Sequence, residues 1–147
     1  MDVIKIENNK KKEYLLKYRR HGRKIRRIES EIEEIRSMKL YPSIDNDGMP
    51  HGADLNDLSN YAAELTDKED KLYQEGVEQV KAYKEIIYEI NQLKDENERD
   101  VLFYYYIKGF TWWEIAKEMG YSERQIHRFH GNALKNLQIP KDVSECQ

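Results

Sequence analysis

Residues 109–137 read GFTWWEIAKEMGYSERQIHRFHGNALKNL, and the punctuation of this stretch decides the fold. Thr111 and Glu114 stand three apart, as do Ser122 and Gln125. In each pair the hydroxyl accepts from the backbone N–H three residues on, while the longer side chain reaches back. Together they satisfy donors that a helix start leaves orphaned. Gly109 ends one segment, Gly120 a second, and Pro140 follows a third. Glycine just past a helix end tolerates the left-handed conformation that terminates it. The pattern predicts helices over about Glu98–Lys108, Trp112–Met119 and Glu123–Leu137. The last two have helix-turn-helix spacing.

Apolar residues fall where a three-helix core needs them: Leu102, Tyr106 and Ile107 on the first helix, Ile115, Ala116 and Met119 on the second. Tyr121 lies in the turn, and Ile126, Phe129, Ala133, Leu134 and Leu137 lie on the third. With those buried, the third helix turns Glu123, Arg124, His127, Arg128, Asn132 and Lys135 outward, behind the capping Ser122. These side chains can reach base edges or phosphates. Arg124 or Arg128 would fork onto a guanine, and Lys135 would meet a phosphate.

Upstream, Tyr14, Tyr18, His21, Ile25, Ile28, Ile32 and Ile35 alternate steps of four and three, the seam of a helix from about residue 7 to 39. A second seam runs Leu58, Ala62, Leu65, Glu69, Leu72, Gly76, Gln79, Tyr83, Ile86, Ile90, Leu93. Tyr41–Ala53, with two prolines and two glycines, is a loop between them, and Asp54 is positioned to cap the second helix. The expected architecture is all-α: a long antiparallel, coiled-coil-like helical hairpin over 1–95, a three-helix helix-turn-helix unit over 96–140, and a tail over 141–147. Setting Ile35 beside Leu58 puts Gly76 near Tyr18, and places Arg23, Lys24, Arg26 and Arg27 opposite Asp67, Glu69 and Asp70. The end of the second seam, from Tyr83 to Leu93, would need a cover. That cover is either the helix-turn-helix unit or a second copy in a dimer.

Charge is uneven. The chain of 147 residues has a net charge of −3, yet residues 1–30 hold 11 Lys/Arg against 4 Asp/Glu, while residues 31–60 and 61–95 are acidic. Complementary flanks of a hairpin explain this, and the alternative is an outside polyanion. Charged residues make up 36% and hydrophobic residues 39%, which suits helices burying narrow stripes rather than a thick α/β core. No apolar run is long enough to span a membrane, and the start is not that of a secretory signal. One cysteine, Cys146, excludes a disulfide scaffold or a cysteine zinc site within one chain, and the expected compartment is cytoplasmic.

Other signals are weaker. One of Trp112 and Trp113 is expected in the core and the other exposed. Tyr104, Tyr105 and Tyr106 span more than one helix face, so at least one must meet another surface. His127 and His130 have no third ligand nearby, and Asp45-x-Asp47-Gly48 lacks the length of a calcium loop, so no metal or other cofactor is expected. No nucleophile–base pair, phosphate loop or paired-carboxylate motif is present, so no enzyme is expected.

The stretch from Glu98 to Leu137 resembles region 4 of the sigma-70 family. The match lies in a Val-Leu helix, Gly109, Thr111-x-x-Glu114-Ile115-Ala116, Gly120-Tyr121-Ser122, Ile126 and Ala133-Leu134-x-x-Leu137. The whole layout is similar to phage late-gene transcription regulators of the ArpU/RinA type, some of which carry a loop like Met49-Pro50-His51-Gly52 here. The resemblance implies promoter contacts at Glu123, Arg124, His127 and Arg128. Its pattern there is less arginine-rich than that of housekeeping sigma factors, which implies a different target sequence. The function expected is a sequence-specific, phage-encoded transcription regulator acting on late-gene or related promoters. Its partners would be double-stranded DNA, a second copy of itself and host RNA polymerase, with no membrane. The alternatives are a small-terminase-like DNA-packaging subunit and a polymerase-binding adaptor that does not touch DNA.

Overall fold

The computed structural model describes residues 2–40 and 54–141. It is all-α: α1 (Asp2–Leu15), α2 (Lys17–Leu40), α3 (Asp54–Asn91), α4 (Glu96–Leu102), a π turn (Phe103–Ile107), α5 (Trp112–Met119) and α6 (Glu123–Asn136). No strand occurs among the described residues. The loop expected over Tyr41–Ala53 lies outside them, as do Cys146 and all of the expected tail except Lys141. The first helix starts earlier than its seam suggests. The boundary at Leu16 hardly interrupts it, because Leu16 N–H donates to Lys12 O at 2.9 Å and Arg20 N–H to Leu16 O at 3.0 Å.

Residues 21–78 form one compact unit, and residues up to 20 with those from 79 onward form another. In the first of these units, segments of α2 and α3 meet in antiparallel order. His21 Nδ1 lies 2.8 Å from Glu75 Oε2, Lys68 Nζ donates to Glu31 at 2.9 Å, and Arg36 donates to Glu69 at 2.9 Å. Ile32 and Ile35 are buried, and the whole of the seam from His21 is at least partly covered.

The α3 seam needs a correction. Leu65, Leu72, Gly76 and Gln79 are partly covered as expected, but Ala62 and Glu69 are exposed while Tyr61, Lys68 and Glu75 turn inward, and Leu58 is half exposed. Polar residues at those positions hid the true phase. Lys68 and Glu75 turn inward because each finds a polar partner, Glu31 for Lys68 and the His21 ring for Glu75. The register also shifts. Glu31 pairs with Lys68, and Arg27 turns to Glu31 on its own helix at 3.4 Å instead of crossing to an α3 acid.

In the other unit Tyr18 meets Tyr83, ring centroids 5.7 Å apart, one heptad beyond the expected Gly76. The core draws Tyr14 and Leu15 from α1 and Ala82, Ile86 and Ile90 from α3, with Leu93. It continues through Leu102 and Tyr106 to Ala133, Leu134 and Leu137. Residues on both sides of position 95 therefore share one interior. Ile86, Ile90 and Leu93 at the end of the second seam are covered within the chain, while Tyr83 stays 39% exposed. A second cluster of Val101, Ile115, Ala116 and Ile126 sits beneath Tyr104, Phe110, Trp112, Met119 and Phe129.

Polar groups lock these layers together. Glu98, 6% exposed, accepts from Asn136 Nδ2 at 2.7 Å. Lys11, 7% exposed, donates from Nζ to Leu134 O at 2.8 Å, satisfying a carbonyl that the end of α6 leaves without a helical partner.

Candidate nucleic-acid interface

The Thr111 box forms in full, whereas at Ser122 only the hydroxyl half of the expected box forms among the described residues. Thr111 Oγ1 accepts from Glu114 N–H at 3.2 Å, and the Glu114 carboxylate accepts from Thr111 N–H at 3.3 Å. Ser122 Oγ accepts from Gln125 N–H at 3.2 Å, which starts α6 at Glu123. Gly120 is left-handed at φ 75°, so α5 ends at Met119 and the chain turns directly into the Ser122 cap.

The segment before α5 departs from a plain α-helix. Lys108 N–H donates to Phe103 O at 3.1 Å, a π turn holding one extra residue. That turn spreads the tyrosine run over several surfaces. Tyr106 is buried, Tyr105 stacks on Trp112 at 4.1 Å, and Tyr104 stacks on Phe110 at 5.4 Å. Trp112 also lies 4.6 Å from the His127 ring, so the stack extends onto α6. Trp113 is 57% exposed, with Lys117 Nζ 4.5 Å above its ring.

On α6, Ile126, His130, Ala133 and Leu137 follow one another at helical spacing and are buried. Arg124, Arg128, Gly131 and Lys135 repeat that spacing on the opposite side of the helix. Every candidate contact residue (Ser122, Glu123, Arg124, His127, Arg128, Asn132 and Lys135) is exposed. Arg124, Arg128 and Lys135 have no ion-pair partner among the described residues. Glu123 lies in the first turn, where its charge suits the positive end of the helix.

The two histidines part company. His130 is buried, with Nε2 2.9 Å from the Tyr106 hydroxyl. Its pKa is pushed down to about 4 by burial, with lesser contributions from Lys12 and His127, so it is neutral at pH 7. His127 faces solvent. No group of three or more metal-ligating side chains gathers among the described residues.

Three features near this face escaped the sequence. Lys11 and Lys12 read as two members of a basic run, yet Lys11 turns inward to cap α6 while Lys12 stays exposed. Arg19 donates to Tyr105 O at 3.4 Å and lies about a side chain's width from Gly109, whose φ is 72°. Gly131 sits in the middle of α6 with open space where a Cβ would project. Only the last carries a sequence signal, a glycine inside a helical pattern.

No curated protein and no solved structure matches this chain. A family model described as "Protein of unknown function (DUF1492)" matches residues 41–138, most of the described second half and the whole α3–α6 succession, and the chain belongs to that family.

Proposed function

We propose that the chain is a sequence-specific, double-stranded DNA-binding transcription regulator of a phage. It acts on late-gene or related promoters in the cytoplasm of a bacterial host, as the ArpU/RinA type does. In this reading α5 and α6 are a helix-turn-helix like that of sigma-70 region 4. α6 enters the major groove, with Arg124, His127 and Arg128 toward base edges and Asn132 and Lys135 toward the backbone.

One observation carries the proposal. α6 buries one stripe completely and presents on the other an exposed stripe of Arg124, Arg128 and Lys135 without ion-pair partners. Three cations held on a rigid helix and left unpaired suit a phosphate-lined groove. Host RNA polymerase is the second partner proposed, through surfaces away from α6. A second copy is no longer required to cover Ile86, Ile90 and Leu93, which are buried within the chain.

A mobility-shift assay on the DNA upstream of the protein's own coding sequence tests the proposal. The wild type shifts this DNA, and the Arg124→Ala, Arg128→Ala double variant does not. Equal shifts by both proteins would refute the assignment of α6.

A further inference from the structure

The basic first segment is not consumed by the acidic α3. In the compact unit that contains α1, Arg20 pairs with Glu13 on the same helical run, Lys17 lies over the Tyr14 ring at 5.1 Å, and Lys11 caps α6. Lys12 and Arg19 are exposed and have no carboxylate partner among the described residues. They lie seven residues apart on one flank of the helix, about 10 Å along its axis.

That flank is held against the α6 layer. Lys11 Nζ donates to Leu134 O at 2.8 Å, which holds the turn of helix carrying Lys12 against the C-terminal end of α6. The charge of Lys12 is felt at His130. Arg19 is held at Tyr105 O, and its guanidinium also lies over the Tyr105 ring at 6.0 Å. Tyr105 stacks on Trp112, and Trp112 meets His127. A continuous stack thus connects Arg19 to the exposed face of α6. On the outer stripe of α6, Gly131 has open space where a Cβ would project, although glycine inside a helix is unfavourable.

We propose that Lys12 and Arg19 form a second, sequence-independent clamp on duplex DNA, gripping the sugar–phosphate backbone along one wall of the groove that α6 occupies. Gly131 lets that backbone approach α6 closely. The clamp rests on the proposed DNA-binding role of α6, and its test separates the two.

The experiment measures fluorescence anisotropy of a labelled 30-base-pair duplex of mixed sequence, titrated with the full chain over a range of salt concentrations. Wild type, Lys12→Gln, Lys12→Gln with Arg19→Gln, and Arg128→Ala are compared, with circular dichroism to verify folding. Each phosphate contact contributes about 0.9 to the slope of log affinity against log salt. Lys12→Gln is expected to lower the slope by about one and the affinity about fivefold near 0.15 M salt, and the double variant to lower the slope by about two. The Lys12 side chain has no hydrogen bond or ion pair among the described residues, so its variant reports the clamp even if Arg19→Gln disturbs Tyr105. A wild type that binds and is weakened by Arg128→Ala, with Lys12→Gln unchanged in affinity and slope, overturns the clamp and leaves the α6 assignment standing. A wild type that binds no duplex at low salt overturns both.

Discussion

His130 Nε2 lies 2.9 Å from the Tyr106 hydroxyl, so the π turn and the buried stripe of α6 are joined by a polar contact inside the core. Burial holds the His130 pKa near 4, below the unfolded value of 6.5, so folding favours the neutral ring. Between these values the unfolded chain binds a proton that the folded chain does not. The resulting stabilisation is complete above pH 6.5 and is lost as pH falls toward 4. Chemical denaturation of wild type and His130→Gln across this range should show their stability difference shrinking by about 2–3 kcal/mol between pH 7 and pH 4. A difference independent of pH would show that His130 is not held neutral.

Tyr14 carries the opposite kind of buried group. Its hydroxyl is enclosed with no hydrogen-bond partner among the described residues, and its pKa is pushed up to about 12 by burial, then by Glu85 and Glu89. Tyr14→Phe keeps the ring and removes the unsatisfied oxygen. It should leave stability unchanged or raise it by about 1 kcal/mol in urea denaturation. A loss above that size would reveal a partner for the hydroxyl.

The two helix starts differ in how fully they are capped. Thr111 exchanges bonds with Glu114 in both directions, whereas Ser122 accepts from Gln125 N–H without a reciprocal bond among the described residues. Thr111→Ala should cost about 1–2 kcal/mol, and Ser122→Ala about 0.5–1 kcal/mol, by the same denaturation measurement.

Gly131 gives a prediction of opposite sign. Its φ is unexceptional and a Cβ there meets open space, so Gly131→Ala should raise stability by about 0.5–1 kcal/mol. If DNA approaches the helix there, the same change should weaken duplex binding. Greater stability with weaker binding separates a functional glycine from a merely tolerated one.

The C-terminal elements were legible because their signals are local. Thr111, Gly120 and Ser122 set the ends of α5 and α6, and the 3.6-residue period separated Ile126, Ala133 and Leu137 from Arg124, Arg128 and Lys135. The phase of α3 was harder to read, because Lys68 and Glu75 occupy inward positions through an ion pair to Glu31 and a contact with His21 that hydropathy cannot see. The π turn was also hidden. Nothing in FYYYI distinguishes it from an α-helix until Tyr105 and Tyr106 have to satisfy Trp112 and His130 simultaneously. The role of Lys11 depends on α6, more than a hundred residues away.

Base reading by the outer stripe of α6 is measured by the affinities of wild type and Arg128→Ala for a panel of duplexes carrying every single-base change across the bound site. A bidentate arginine–guanine contact discriminates by about 1–3 kcal/mol. Arg128→Ala is expected to lose a preference of tenfold or more at one base pair and to keep the others. Superimposable preference profiles for the two proteins would contradict it.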